Sequence, residues 1–111
     1  PETGIWWNPA ESGRGFALEI QAGTMFLGGY MFDASRNPIW YSSGQTPMTD
    51  AITYVGVWEQ YGNGQTMSGT YKPATLVNAG VGTVRIQFSD TRNATLTLPD
   101  GRQIPITRFS F

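Results

Sequence analysis

Cysteine and histidine are both absent from this chain, and lysine occurs once, at Lys72. Without cysteine no disulfide can form, so redox compartment cannot be read from cysteine usage. Without thiolate or imidazole there is no ligand set for a transition-metal site. A Ser or Thr nucleophile would have only a carboxylate or Lys72 as its base, and Lys72 precedes Pro73 in a solvated-looking loop. No apolar run approaches the roughly 18 residues of a membrane helix, so membrane insertion is not expected. There is no surplus of positive charge either: 7 Lys+Arg face 8 Asp+Glu, and the arginines are scattered. A nucleic-acid binder needs that surplus to displace counterions from phosphate, so nucleic acid is not an expected partner.

What the chain has in quantity is aromatic side chains, with 4 Trp, 5 Tyr and 6 Phe, punctuated by 14 Gly and 7 Pro. These fall in short alternating runs that never keep a helical period, which predicts an all-β domain without helices. At 111 residues one hydrophobic core suffices, and the whole of 1–111 reads as a single domain. The expected strands are Ile5 to Trp7, Phe16 to Gln21, Thr24 to Phe32, Ile39 to Ser43, Ile52 to Glu59, a weaker one at Thr66 to Tyr71, Gly82 to Phe88, Ala94 to Leu98 and Gln103 to Phe111. Gly44 to Asp50 reads as loop, and Lys72 to Gly80 as the longest irregular connection. Short turns at Ala22-Gly23, Asp33 to Asn37, Ser89 to Asn93 and Pro99-Asp100-Gly101 join consecutive strands. The expectation is an antiparallel up-and-down meander of eight or nine strands closed into a barrel, with a β-sandwich as the alternative. In a closed meander the first strand meets the last, which removes two edges.

Within Thr24 to Phe32 both faces are apolar: Phe26, Tyr30 and Phe32 on one, Met25, Leu27 and Met31 on the other. The interior is expected to hold Phe16, Leu18, Ile20, Phe26, Tyr30 and Trp58. That leaves the face of Met25, Leu27 and Met31 wanting a cover, which another sheet, the chain's own termini or a second copy (self-association as a homo-oligomer) could supply. The pairs Trp6-Trp7 and Trp40-Tyr41 must each direct one ring away from the core. Trp6, Trp7, Trp40, Tyr41 and Trp58 are therefore candidates for contact with a glycan or protein, because flat rings match the apolar C–H faces of sugars and also favour protein interfaces. Asn8, Glu11 and Arg14 join them from a glycine-bounded loop. Glu11 and Arg14 either grip a polar ligand above an aromatic floor or pair with each other and pin the loop across a barrel end, and pairing is the expected role.

Other chemistry fits poorly. Asp33-x-Ser35-x-Asn37 matches the opening of a calcium loop, but the sixth position is Pro38 and the twelfth Gly44, where Gly and Glu are required. Two carboxylates among Glu11, Glu19, Asp33, Asp50 and Glu59 would suffice for a glycoside hydrolase, yet so short a chain has little material for a deep cleft. No cofactor is expected.

Several segments in order along the chain, namely Gly4-Ile5-Trp6-Trp7-Asn8-Pro9-Ala10-Glu11-Ser12-Gly13-Arg14-Gly15, Phe32 to Ser35, Asn37 to Tyr41, Val81 to Val84, Phe88 to Asp90 and Ile106 to Phe109, resemble a repeat domain of exported bacterial, mainly proteobacterial, proteins. The resemblance implies a secreted or envelope-associated module, often repeated or attached to other domains, for which no activity and hence no catalytic residue carries over. A weaker resemblance to avidin-type barrels rests on Gly4-x-Trp6-x-Asn8 and Leu27-Gly28-Gly29-Tyr30. The rest of that family's ligand set is not reproduced. The chain opens on Pro1-Glu2-Thr3-Gly4 with no signal peptide at its head, which reads as a mature or excised segment.

These observations lead to one expected function, a non-catalytic binding or assembly module contacting glycan or protein. A barrel carrier of a small apolar ligand is the alternative. A carboxylate-based glycoside hydrolase ranks last.

Overall fold

Alternation along β2 (Gly15–Gln21) sends Phe16 and Leu18 to one side and Ala17 and Glu19 to the other. The two-residue turn Ala22-Gly23, with positive φ at both positions, then fixes the register of β3 (Thr24–Phe32). The computed structural model describes residues 1–111 and continues the meander through β4 (Pro38–Pro47), β5 (Thr53–Gly62), β6 (Thr75–Phe88), β7 (Asn93–Thr97) and β8 (Gln103–Arg108). With β1 (Gly4–Trp7) they form a closed barrel in sequence order, every neighbouring pair antiparallel. The barrel reading holds over the sandwich, and β1 meets β8 through Trp6↔Arg108 and Trp7↔Thr107.

Several boundaries differ from expectation; β5 runs on past Glu59 to Gly62, and β8 ends at Arg108 rather than at Phe111. Gly44 to Pro47 continues β4 rather than looping, because Gly44 adopts a positive φ and absorbs a bulge opposite Phe26 to Gly28. Thr66 to Tyr71 forms no strand. Its place is taken by the first half of β6, where Thr75, Leu76 and Asn78 pair with Gly62, Tyr61 and Gln60. β-branched and apolar residues there outweigh the glycines and asparagine that read as irregular.

The interior is packed with Trp6, Phe16, Leu18, Met25, Leu27, Tyr54 and Trp58 together with aliphatic residues of β6, β7 and β8. This corrects the assignment of faces on β3. Met25 and Leu27 are fully buried in the barrel and Met31 is half-buried at its rim, so they are not the surface of self-association. Phe26 and Tyr30, expected inside, stand on the outer wall with Phe32. The hairpin register explains it: Ile20↔Met25 and Leu18↔Leu27 are opposed, and opposed residues share a face.

Large rings fit inside because small residues face them. A Cβ on Gly29 would lie 2.9 Å from the Trp58 indole, and one on Gly56 would lie 2.7 Å from the Tyr54 hydroxyl and 2.9 Å from Ser43. These atoms belong to buried side chains, two of them rings packed in the interior, which have little room to shift. Gly56→Ala is therefore expected to destabilise the fold by about 1–3 kcal/mol, the usual cost of overpacking, as a lower midpoint in urea unfolding. An unchanged midpoint would contradict this packing.

Candidate functional site

The outer wall of β2 to β5 carries a row of small side chains. Ala17, Gly28 and Ser42 are successive register partners, and Ser42 pairs in turn with Glu59. A strip without bulk between rows of large rings makes a groove across the strands. On one side stands Phe26, flanked by its register partners Glu19 and Gln45. On the other side Tyr30 pairs with Trp40, and Trp40 stacks on Tyr61 of β5 with ring centroids 5.9 Å apart and planes 9° from parallel. The hollow between these walls has a volume of about 230 Å³ and is lined by Phe26, Gly28, Tyr30, Trp40, Tyr41 and Ser42. Tyr30 is 56% and Trp40 45% exposed, so both rings are within reach of a ligand. Carboxylate and amide groups of Glu19, Gln45 and Glu59 sit at the edges of this aromatic surface. Tyr61 donates its hydroxyl to Glu59 Oε2 at 3.4 Å.

The other expected contact residues are distributed differently. Trp6 and Trp58 are 0% and 1% exposed and offer no surface. Tyr41 points inward, tilted against Trp58 at 5.7 Å, as the alternation with Trp40 requires. Trp7 is on the outer side of β1 but is half-covered by Phe109, with centroids 5.0 Å apart, and lies on a different wall from Trp40. Only Trp40 of the four indoles belongs to the groove. Phe26, Tyr30 and Tyr61 join it there, although they are not among the contact residues expected from the sequence. The signal available was the two-residue hairpin at Ala22-Gly23, which puts Phe26 and Tyr30 opposite Glu19 and Gly15, on the polar side of β2.

Asn8, Glu11 and Arg14 come together at the barrel end where β1 turns into β2. Asn8 is buried; its Oδ1 accepts the Ala10 N–H at 3.1 Å and its carbonyl accepts the Glu11 N–H at 3.0 Å, which closes the turn. Its Nδ2 donates to Glu11 Oε1 at 3.2 Å. Glu11 receives Arg14 Nη2 on Oε1 at 2.7 Å and Arg102 Nη2 on Oε2 at 2.8 Å. Arg102 follows the β7–β8 turn, so one carboxylate ties two connections at the same end. Pairing of Glu11 with Arg14 is observed, and Arg102 is the partner that sequence distance concealed.

Comparison with protein-family models, with curated proteins and with solved structures finds no match.

Desolvation by its neighbours acts to raise the Glu11 pKa. The charges of Arg102 and Arg14 and their hydrogen bonds outweigh it and hold the carboxyl below the ordinary glutamate value. A lowered folded-state pKa stabilises the fold above the ordinary value, and that contribution is lost as pH falls through the folded-state value. The group is exposed, so salt screens the effect. Carboxyl NMR titration is expected to show a Glu11 midpoint below that of a free glutamate, moving upward in Arg102→Gln. An ordinary midpoint in the native chain would show that the clamp does not persist in solution.

Proposed function

We propose that this domain is a non-catalytic glycan-binding module, and that the groove across β2 to β5 is where the sugar lies. The observation that carries this reading is the row of Tyr30, its register partner Trp40, and Tyr61 stacked on Trp40, along one wall of a floor made of Ala17, Gly28 and Ser42. A pyranose ring has apolar C–H faces and a polar periphery. It is complemented by flat aromatic rings with hydrogen-bonding groups at their margins, and Glu19, Gln45 and Glu59 supply those groups here. The Trp40–Tyr61 stack also holds the indole in place before a ligand arrives, which lowers the ordering cost of binding. Export to the cell envelope or beyond, implied by the family resemblance, is consistent with a target of this class and belongs to the same proposal.

The test uses the purified chain against a panel of soluble oligosaccharides, followed by tryptophan fluorescence. Trp6 and Trp58 are buried, so a ligand in the groove changes the emission of Trp40. Trp40→Ala is expected to weaken binding at least about tenfold, on the scale of a stacked anchor residue; it also removes the outer stack of the β4–β5 seam and lowers the unfolding midpoint, so binding is read where the variant is still fully folded. Binding unchanged in Trp40→Ala, or no response to any glycan, would overturn the proposal.

A second reading, association with another copy of the chain, is favoured by one separate observation. β7 pairs with β6 only over Arg85–Phe88, so the first half of β6 has an open edge. From Pro73 to Val84 the sequence carries no charge, and Leu76 and Val77 are exposed. Edges of this kind are normally blunted by charge, proline or a covering element. Two such edges meeting across a two-fold axis would extend one sheet through both molecules. Light scattering should then report a dimer that Val77→Lys converts to monomer; a monomer at all concentrations would remove this reading.

A further inference from the structure

The groove does not end at Trp40. Tyr30 and Trp40 also border a second apolar hollow, of about 360 Å³, shared with Gly13, Met31 and Phe32. Gly13, Met31 and Phe32 in turn border a third, of about 420 Å³, whose other walls are Glu11, Ser12, Arg14 and Arg102. The three hollows therefore form one track along the outer ridge of β3. From Phe26 to Phe32 it spans six residues of strand, about 20 Å at 3.3 Å per residue. The Glu19 carboxylate stands beside Phe26 at one end, Glu59 lies level with Gly28 and Ser42, and two guanidinium groups stand at the other end.

Those guanidinium groups are held but not saturated. Glu11 accepts one Nη2–H from each arginine, and the remaining N–H groups of both side chains have no acceptor within the chain. Within the hollow itself two guanidinium groups face the Glu11 carboxylate, and Asp33 and Asp100 add two negative charges nearby. The other carboxylates at this end are engaged in their own turns: Asp33 Oδ1 accepts the Ser35 and Asn37 N–H groups, and Asp100 Oδ1 accepts that of Arg102. What remains is a fixed, partly neutralised pair of planar donors beside an apolar wall. That arrangement suits a planar or tetrahedral anion carried on a larger body.

Resting on the glycan reading above, we infer that the ligand is an acidic glycan, lying along β3 with an anionic substituent at Arg14 and Arg102 and neutral residues over Tyr30 and Trp40. The acidic Phe26 end disfavours an anion there, so the track orients the chain as well as selecting it.

The experiment is isothermal titration of the intact chain with three oligosaccharides of equal length: a neutral gluco-oligosaccharide, a glucuronate-containing one and a sulfated one. At least one acidic probe is expected to bind about tenfold or more tightly than the neutral one at low salt, with the preference shrinking as salt is raised. The arm that gains affinity identifies carboxylate or sulfate as the anion. In Arg102→Gln the acidic-to-neutral ratio is expected to fall toward one. Arg102 is exposed, and the unfolding midpoint of the variant checks that the domain is intact. Equal binding of all three probes, or a ratio unchanged in Arg102→Gln, would overturn this inference and leave the platform reading standing. Binding of none of them would overturn the platform itself.

Discussion

The seam between β4 and β5 closes through side chains more than through a backbone ladder, and the rest of the molecule depends on it. Ser42↔Glu59 is the single register pair between these strands, whereas β3 and β4 are paired along most of their length. Three side-chain contacts hold the gap. Trp58 reaches from β5 to Gly29 of β3, passing Tyr41 of β4 on the inside. Tyr54 and Ser43 share a buried hydrogen bond between their hydroxyls. Trp40 and Tyr61 stack on the outside. A seam held this way is tight within and leaves flat rings without, so barrel closure and the aromatic wall have one cause.

The same constraint decides which rings are available to a ligand. Interior volume is fixed by the barrel; Trp6, Phe16, Tyr54 and Trp58 fill it, with Gly56 making room for Tyr54 and Gly29 for Trp58. Further rings must go outside, and alternation sends five of them to one wall: Phe26, Tyr30 and Phe32 on β3, Trp40 on β4, Tyr61 on β5. Gly28 and Ser42 keep the space between them open. At the barrel end the Glu11 clamp fixes two arginines in reach of that wall, which places planar hydrogen-bond donors at one end of it.

Much of this is legible in the sequence. The meander, its closure and most turns follow from alternation and turn chemistry, as in the Asp33 side chain capping its own turn. The faces of β3 were misassigned because both are apolar, so hydropathy alone cannot say which is inside. The register of the Ala22-Gly23 hairpin resolves it. Two further features lie beyond local pattern. The strand from Thr75 reads as irregular because Asn78, Gly80 and Gly82 interrupt it, yet pairing with β5 carries it through. The Arg102–Glu11 bridge joins residues distant in sequence and appears only once the barrel brings the two turns together. Pairing of Glu11 with Arg14, three residues apart in one loop, was within reach of the sequence.

The division of indoles between interior and wall is the claim on which the fold and the proposed site both stand. Fluorine NMR of the chain carrying 5-fluorotryptophan, with the H₂O-to-D₂O shift measured for each of the four resonances, tests it directly. The packing described here predicts no solvent response from Trp6 or Trp58 and a clear one from Trp40. A solvent-responsive Trp58, or a silent Trp40, would contradict both the closed seam and the open aromatic wall.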